Sequence, residues 1–210
     1  MSLKTSDVFA TLNDPVALDM AFIVGPILVT GIGYRLVRDR IMDGSIVVVD
    51  GDPNSGLAFY DSTEDKLTTQ AGNPPADLDQ RGLLLHECTH ALIDVCDMPK
   101  VTRHIDELTA YIAQHVYLVR SKPSWTVAPN NPPWQSFFQS IFDLIKSHNL
   151  HNSNFALITT DELEPLRLQL AALPYVNYGT FHKESLSGSN GLKDFGTFGR
   201  VSRLLKSMMN

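Results

Sequence analysis

Apolar residues recur at helical spacing from Leu83 to Cys96. Leu84, Cys88, Ala91 and Val95 form one stripe, with Leu85 and Leu92 beside it. Leu83 and Ile93 lie on the other side, so this helix is expected to be buried on both faces. A second helical pattern runs from Thr102 to Arg120, with Ile105, Leu108, Ile112, Val116 and Val119 as its core stripe. Asp97-Met98-Pro99 breaks the chain between the two, which predicts an antiparallel pair.

Upstream the pattern changes. Residues 8–42 read as helical in part, with a helix start at Asp14-Pro15 and an amphipathic continuation at Arg35–Met42. Ala21 to Tyr34 is apolar but punctuated by Gly25, Pro26, Gly31 and Gly33; it reads as a buried helix or a glycine-punctuated hairpin. β-Branched runs predict a strand at Ser45–Asp50, a return strand at Leu57–Tyr60 after the Gly51–Gly56 turn, and a third at Lys66–Gln70. Together they make a small β-meander, and Gly72-Asn73-Pro74-Pro75 separates it from the helix pair. After a Pro/Asn-rich connection, helices are predicted at Trp134–Ser147 and Thr159–Leu173. The second opens with Thr159-Thr160-Asp161-Glu162, which fits a capping box. Pro174–Phe198 reads as loop. The expected class is α+β, with a mainly helical C-terminal part. One domain is expected: residues 1–78 as N-terminal helix and small sheet, 79–120 as helix pair, and 121–210 as helical remainder.

The first helix of the pair carries His86-Glu87-Cys88-Thr89-His90, an H-E-x-x-H pattern. Residues four apart share a helix face, so His86 and His90 can aim two imidazole nitrogens at one metal ion. Glu87 lies about 100° round the helix, where it can serve as base to a water beside that ion. Two histidines on a helix buried on both faces need partners, because unsatisfied buried polar groups are costly. A catalytic zinc site takes three protein ligands and leaves one position open. Glu107 is the best third ligand, on the face opposite the second helix's core stripe with Ala110, Tyr111 and Gln114. Small Ala110 allows the two helices to approach closely. His104, one turn earlier, and then Asp106 are the rival ligands.

His86-Glu87-Cys88-Thr89-His90 followed by Glu107-Leu108-Thr109-Ala110 resembles the gluzincin branch of the zincin metallopeptidases. The likeness covers about 30 residues, Leu83 to Gln114. It implies a zincin-like fold, Zn2+ bound by His86, His90 and Glu107, Glu87 as general base, and a peptide or protein as substrate. It also implies a sheet upstream whose edge strand holds an extended substrate by main-chain pairing. The metzincin pattern is not met, because Cys96 and Ile93 stand where a third histidine and a glycine are required. One departure from gluzincins is visible. An aspartate that supports a histidine ligand often follows one turn after their glutamate, and here that position is Tyr111. A phenol can accept a hydrogen bond from imidazole, though less strongly than a carboxylate.

An oxyanion-stabilising group is also required by such a mechanism. Tyr175, Tyr178 and His182, in the loop downstream, and Tyr111 are the candidates; Tyr178 and His182 are carried forward as catalytic. A closed, non-catalytic site would instead need a fourth protein ligand such as His104 or Asp94. That would make the domain a metal-stabilised binding module. A secreted toxin or effector protease is the further alternative.

Composition narrows this picture only in part. The 43% apolar content fits a folded globule, and a net charge of −6 disfavours a nucleic-acid partner. The basic positions within Lys193–Lys206 read as a solvated helix end. Cys88 and Cys96, about 12 Å apart along one helix, are too distant for a disulfide. The N-terminal residues lack a signal-peptide pattern, and the apolar Ala21–Tyr34 run is shorter than a bilayer span. Cytoplasmic residence without a membrane span is the expectation, with export by a non-classical route as its alternative. Gly31-Ile32-Gly33 lacks the third glycine of a dinucleotide fingerprint.

Overall fold

The computed structural model describes residues 3–51, 58–69, 77–98, 101–127, 132–152, 155–173 and 186–187. Helices α1 (Leu3–Leu12) and α2 (Pro15–Leu18) lead into strands β1 (Ala21–Val24) and β2 (Ile27–Thr30), then α3 (Gly31–Met42). Strands β3 (Val47–Asp50), β4 (Phe59–Asp61) and β5 (Lys66–Thr69) follow. The long helix α4 (Leu78–Val95) comes next, then the short strand β6 (Val101–Thr102) and the second long helix α5 (Arg103–Ser121). The remainder is α6 (Pro132–Ser147), a 3-10 turn at Leu150–Asn152, β7 (Ala156–Ile158), α7 (Thr160–Ala171) and β8 (Leu186–Ser187). The class is α+β and mostly helical, as the pattern predicts.

The helix boundaries follow local chemistry. Asp14 caps α2 by accepting from the Val16 N–H, with Pro15 at the first helical position. Thr159 and Glu162 form the expected capping box of α7. Asp77 caps α4 through the Gln80 N–H, about a turn earlier than the apolar periodicity indicates. At its other end Asp97 adopts φ +46°, the Asp97 N–H donates to Asp94 O, and the Met98 N–H donates to Ile93 O. These two bonds make a Schellman stop, with an aspartate in the left-handed place that glycine usually takes. Thr102 then caps α5.

The glycine-rich apolar run resolves into a hairpin. β1 and β2 pair antiparallel from Ala21↔Thr30 to Val24↔Ile27, and Gly25 turns at φ +55°. Proline at the next position excludes the type I′ turn, leaving type II′. β7, in a stretch to which the periodicity assigns no element, pairs parallel with the other edge of β1. Leu186–Ser187, inside the expected loop Pro174–Phe198, pairs with β6.

The upstream meander is corrected. The sheet order is β3-β5-β4, with β3 parallel and β4 antiparallel to β5. Consecutive strands β3 and β4 therefore do not pair. Leu67, Thr68 and Thr69 of β5 are all buried, which suits a central strand, whereas β4 is a short edge strand beside α4. Val48, Leu67 and Tyr60 form one row across the sheet that packs on the core.

That core runs continuously from Val8 to Leu173, and α4 is at its centre. Leu84, Leu85, Cys88, Ala91, Leu92 and Val95 are buried, and so is Ile93 on the other face. Thr89, between the histidines, meets the buried Tyr34 hydroxyl of α3 at 2.9 Å. The two central residues of the motif thus belong to the core, while His86 and His90 turn toward α5. Gly82 lets α4 and α5 approach, and Ala110 of α5 is fully buried. A Cβ on Gly82 would lie 2.9 Å from Leu118 Cδ2. Both cysteines are free thiols. Among the described residues, no helix is long and apolar enough to cross a membrane.

Gly82→Val is expected to destabilise the fold by about 1–3 kcal/mol through overpacking against Leu118. Urea-denaturation midpoints at constant slope measure it, and a variant as stable as the parent would show that α4–α5 spacing tolerates added volume.

Candidate metal centre

α4 presents His86 and His90 one turn apart, and α5 brings Glu107 up to them. The two Nε2 atoms are 3.2 Å apart. Glu107 Oε2 lies 3.6 Å from His86 Nε2 and 3.8 Å from His90 Nε2. Donors bound 2.0–2.2 Å from a tetrahedral ion are separated by about 3.3–3.6 Å, so these three atoms are close to the spacing of a metal triad. Among the described residues, His86, His90 and Glu107 are the group of His, Cys, Asp or Glu side chains close enough to share an ion. Neither His104 nor Asp94, the candidates for closing the site, belongs to it. Asp94 instead accepts from the Tyr60 hydroxyl at 2.9 Å.

Asp106 has a different place from the one its rivalry with Glu107 implies. Its Oδ1 lies 2.8 Å from His90 Nδ1. A carboxylate there accepts the Nδ1–H, which leaves Nε2 as the nitrogen that could face an ion and fixes the ring's orientation. Support that Tyr111 was expected to give is thus supplied to the other histidine by the residue just before the glutamate. Tyr111 itself packs its ring against His86, with centroids 4.4 Å apart and planes inclined by 64°. His86 Nδ1 is buried and has no hydrogen-bond partner among the described residues, so the phenol does not accept from it. Tyr111 joins Trp134, Phe137 and Phe138 of α6 in an aromatic cluster behind His86. His115, one turn further along α5, meets the Tyr111 carbonyl at 2.8 Å through Nδ1. Burial holds its pKa down at about 4, which keeps it neutral.

Glu87 completes the cluster. One oxygen, Oε2, accepts the main-chain N–H of Tyr60 on β4 at 2.8 Å. The other, Oε1, faces the ligands at 4.0 Å from His86 Nε2. Burial pushes the Glu87 carboxyl above its ordinary pKa, against the pull of His86, His90 and the Tyr60 N–H. Glu107 behaves oppositely. Burial alone would raise it, but contact with His86 and the charges of His90 and Arg103 outweigh that and hold it at about 2. Burial likewise lowers His90, but Asp106, Glu107 and Glu87 more than offset it and bring its pKa up to about 10. Three acidic side chains, Glu87, Asp106 and Glu107, thus surround two imidazoles in a mostly buried site. A divalent cation is the group that would balance their charge.

Sequence pattern therefore finds His86, Glu87, His90 and Glu107, and the structure brings all four together. It misses Asp106 as the partner of His90 and Tyr60 as the partner of Glu87. The first signal lies in an acidic residue beside the ligand glutamate; the second has no signature, because a main-chain N–H makes the bond. Tyr175, Tyr178 and His182 lie outside the described residues, as do Gly72–Pro75, Pro99 and the basic positions from Lys193 to Lys206. Comparison with protein-family models, with curated proteins and with solved structures finds no match to this chain.

Two outcomes test the electrostatics. At pH 7, below its pKa of about 10, His90 is protonated in the metal-free protein, and it must lose that proton to ligate through Nε2. Zinc titration in buffers of different ionisation enthalpy should therefore release about one proton per ion. Release of none would show that His90 is already neutral in the metal-free protein and overturn this electrostatic reading. Asp106→Asn should weaken zinc binding by about 10–100-fold while preserving one-to-one stoichiometry, as read by chelator competition.

Proposed function

We propose that this chain is a zinc-dependent metallopeptidase of zincin-like, gluzincin type. His86, His90 and Glu107 are its metal ligands and Glu87 its general base. The observation that carries this reading is the convergence of Nε2, Nε2 and Oε2 within 3.2–3.8 Å of one another, with a second carboxylate oxygen, Glu87 Oε1, close by but 4.0 Å from His86 Nε2. A structural zinc site needs four protein ligands, and a catalytic one needs three and an open position. Three ligands and an adjacent base match the catalytic arrangement.

A bound divalent ion supplies a Lewis acid that lowers the pKa of a water toward about 7 and polarises the scissile carbonyl. The chain's own groups do the rest. With Oε2 tied to the Tyr60 N–H, Glu87 has Oε1 available to take the proton of the attacking water. Its raised pKa lets it keep that proton until the leaving nitrogen needs it. A leaving amine, unlike a leaving alcohol of an activated ester, must be protonated to depart, which favours peptide bonds as substrate. Asp106 keeps His90 in one orientation throughout. Tyr111, against His86, and Tyr178 and His182 from the downstream segment are the candidates for steadying the oxyanion.

Elemental analysis of the purified protein tests the ligand set. About one zinc per chain is expected in the wild type, with marked loss in Glu107→Ala and His90→Ala. Glu87→Gln should keep the ion and lose roughly two orders of magnitude or more in turnover of a protein substrate. No zinc in the wild type after zinc is supplied would replace the enzyme reading with a binding role. Wild-type turnover in Glu87→Gln would remove the general base.

A further inference from the structure

Tyr60 touches α4 at two points. Its N–H donates to Glu87 Oε2 at 2.8 Å, and its hydroxyl donates to Asp94 Oδ2 at 2.9 Å. Glu87 and Asp94 are seven residues apart, two turns and about 10 Å along one face of the helix. Asp94 is buried. The hydroxyl also reaches Asp65 Oδ1, in the β4–β5 turn, at 3.3 Å. A phenol has one proton to give, so the shorter contact to Asp94 takes the bond and Asp65 is secondary. In the antiparallel pairing Tyr60 stands opposite Leu67, and β4 is the edge of its sheet. Its N–H therefore points out of the sheet toward α4, and Glu87 occupies the main-chain donor that an extended substrate would otherwise use there. A single edge strand is weakly held; a second anchor two turns away fixes its position along α4.

We propose that Tyr60 is a positioning residue for Glu87: its main chain clamps one carboxylate oxygen, and its phenol, locked to Asp94, holds that clamp in register. This rests on the reading of Glu87 as general base. Its consequence is rotational. With Oε2 pinned, Oε1 has a fixed direction toward the ligand triad, and the carboxylate neither swings onto the ion nor turns away. Placement matters because a shift of about 1 Å in a reacting group can cost up to about a hundredfold in rate.

The test uses the zinc-loaded full chain with fluorescein-labelled casein as substrate. Tyr60→Phe should keep one zinc per chain and its KM while kcat falls roughly tenfold. Asp94→Ala should reproduce that loss, and the double variant should fall no further. Asp94→Asn keeps an acceptor oxygen for the phenol and should recover most of the rate. A readout independent of turnover is the amide of residue 60. Its NMR resonance should move in Glu87→Gln, and its exchange with deuterium should quicken about tenfold in Tyr60→Phe. An amide that ignores both changes overturns the proposal, whether or not casein is cut. If the amide responds but wild type cuts no casein, the brace stands and the hydrolase reading fails. A kcat loss that tracks zinc loss and is not restored by Asp94→Asn assigns Tyr60 a merely structural part and overturns the positioning role.

Discussion

The close antiparallel packing of α4 and α5 is the constraint from which the candidate centre follows. Three donor atoms on two helices meet within 3.2–3.8 Å only if the helix axes are near each other and their rotations are fixed. A small residue at the contact, Gly82 against Leu118 and Gln114, permits the approach. Apolar burial on the remaining faces sets the rotation: Cys88, Ala91 and Leu92 of α4 and Leu108, Ile112 and Val116 of α5 are all buried. If either helix turned by one residue, about 100°, it would carry its ligands out of reach and put a charged or apolar side chain in the wrong medium. Ligand geometry and hydrophobic burial are therefore satisfied by the same arrangement.

Electrostatics inside that arrangement are uneven. The same burial that lifts Glu87 fails to lift Glu107, because Glu107 takes a hydrogen bond from His86 and feels the charges of His90 and Arg103, while for Glu87 the pull of the imidazoles and one main-chain donor does not overcome burial and the neighbouring charge of Glu107. Two carboxylates in one site are thereby separated in proton affinity, one suited to hold a cation and one to hold a proton. Asp106 adds a third charge, but spends it on His90 and so stays out of the ligand set. Acidic groups gathered in a mostly buried site are costly, and a cation held there would link stability of the helix pair to its own binding.

Much of the local structure was legible from pattern. The two long helices, their stop at Asp97, the α7 capping box and the Asp14-Pro15 start all rest on interactions within a few residues of sequence. Strand order was not. β5 lies between β3 and β4 because Leu67 and its neighbours are buried, and alternation along each strand says nothing about which strand it pairs with. The parallel pairing of β7 with β1 joins residues more than 130 positions apart, beyond any local periodicity.

For the centre itself, the sequence determined donor chemistry on each helix: His86 and His90 share a face because the α-helix repeats near four residues, and Glu107 lies opposite an apolar stripe. Tertiary structure alone decided which of His104, Asp106 and Glu107 meets those histidines, and gave Asp106 to His90 Nδ1 and Glu87 to the Tyr60 N–H. The physical reason is one of range. Periodicity is a property of the backbone and is written in neighbouring residues, whereas hydrogen bonds between elements depend on axis separation, rotation and register, which only the packed core fixes.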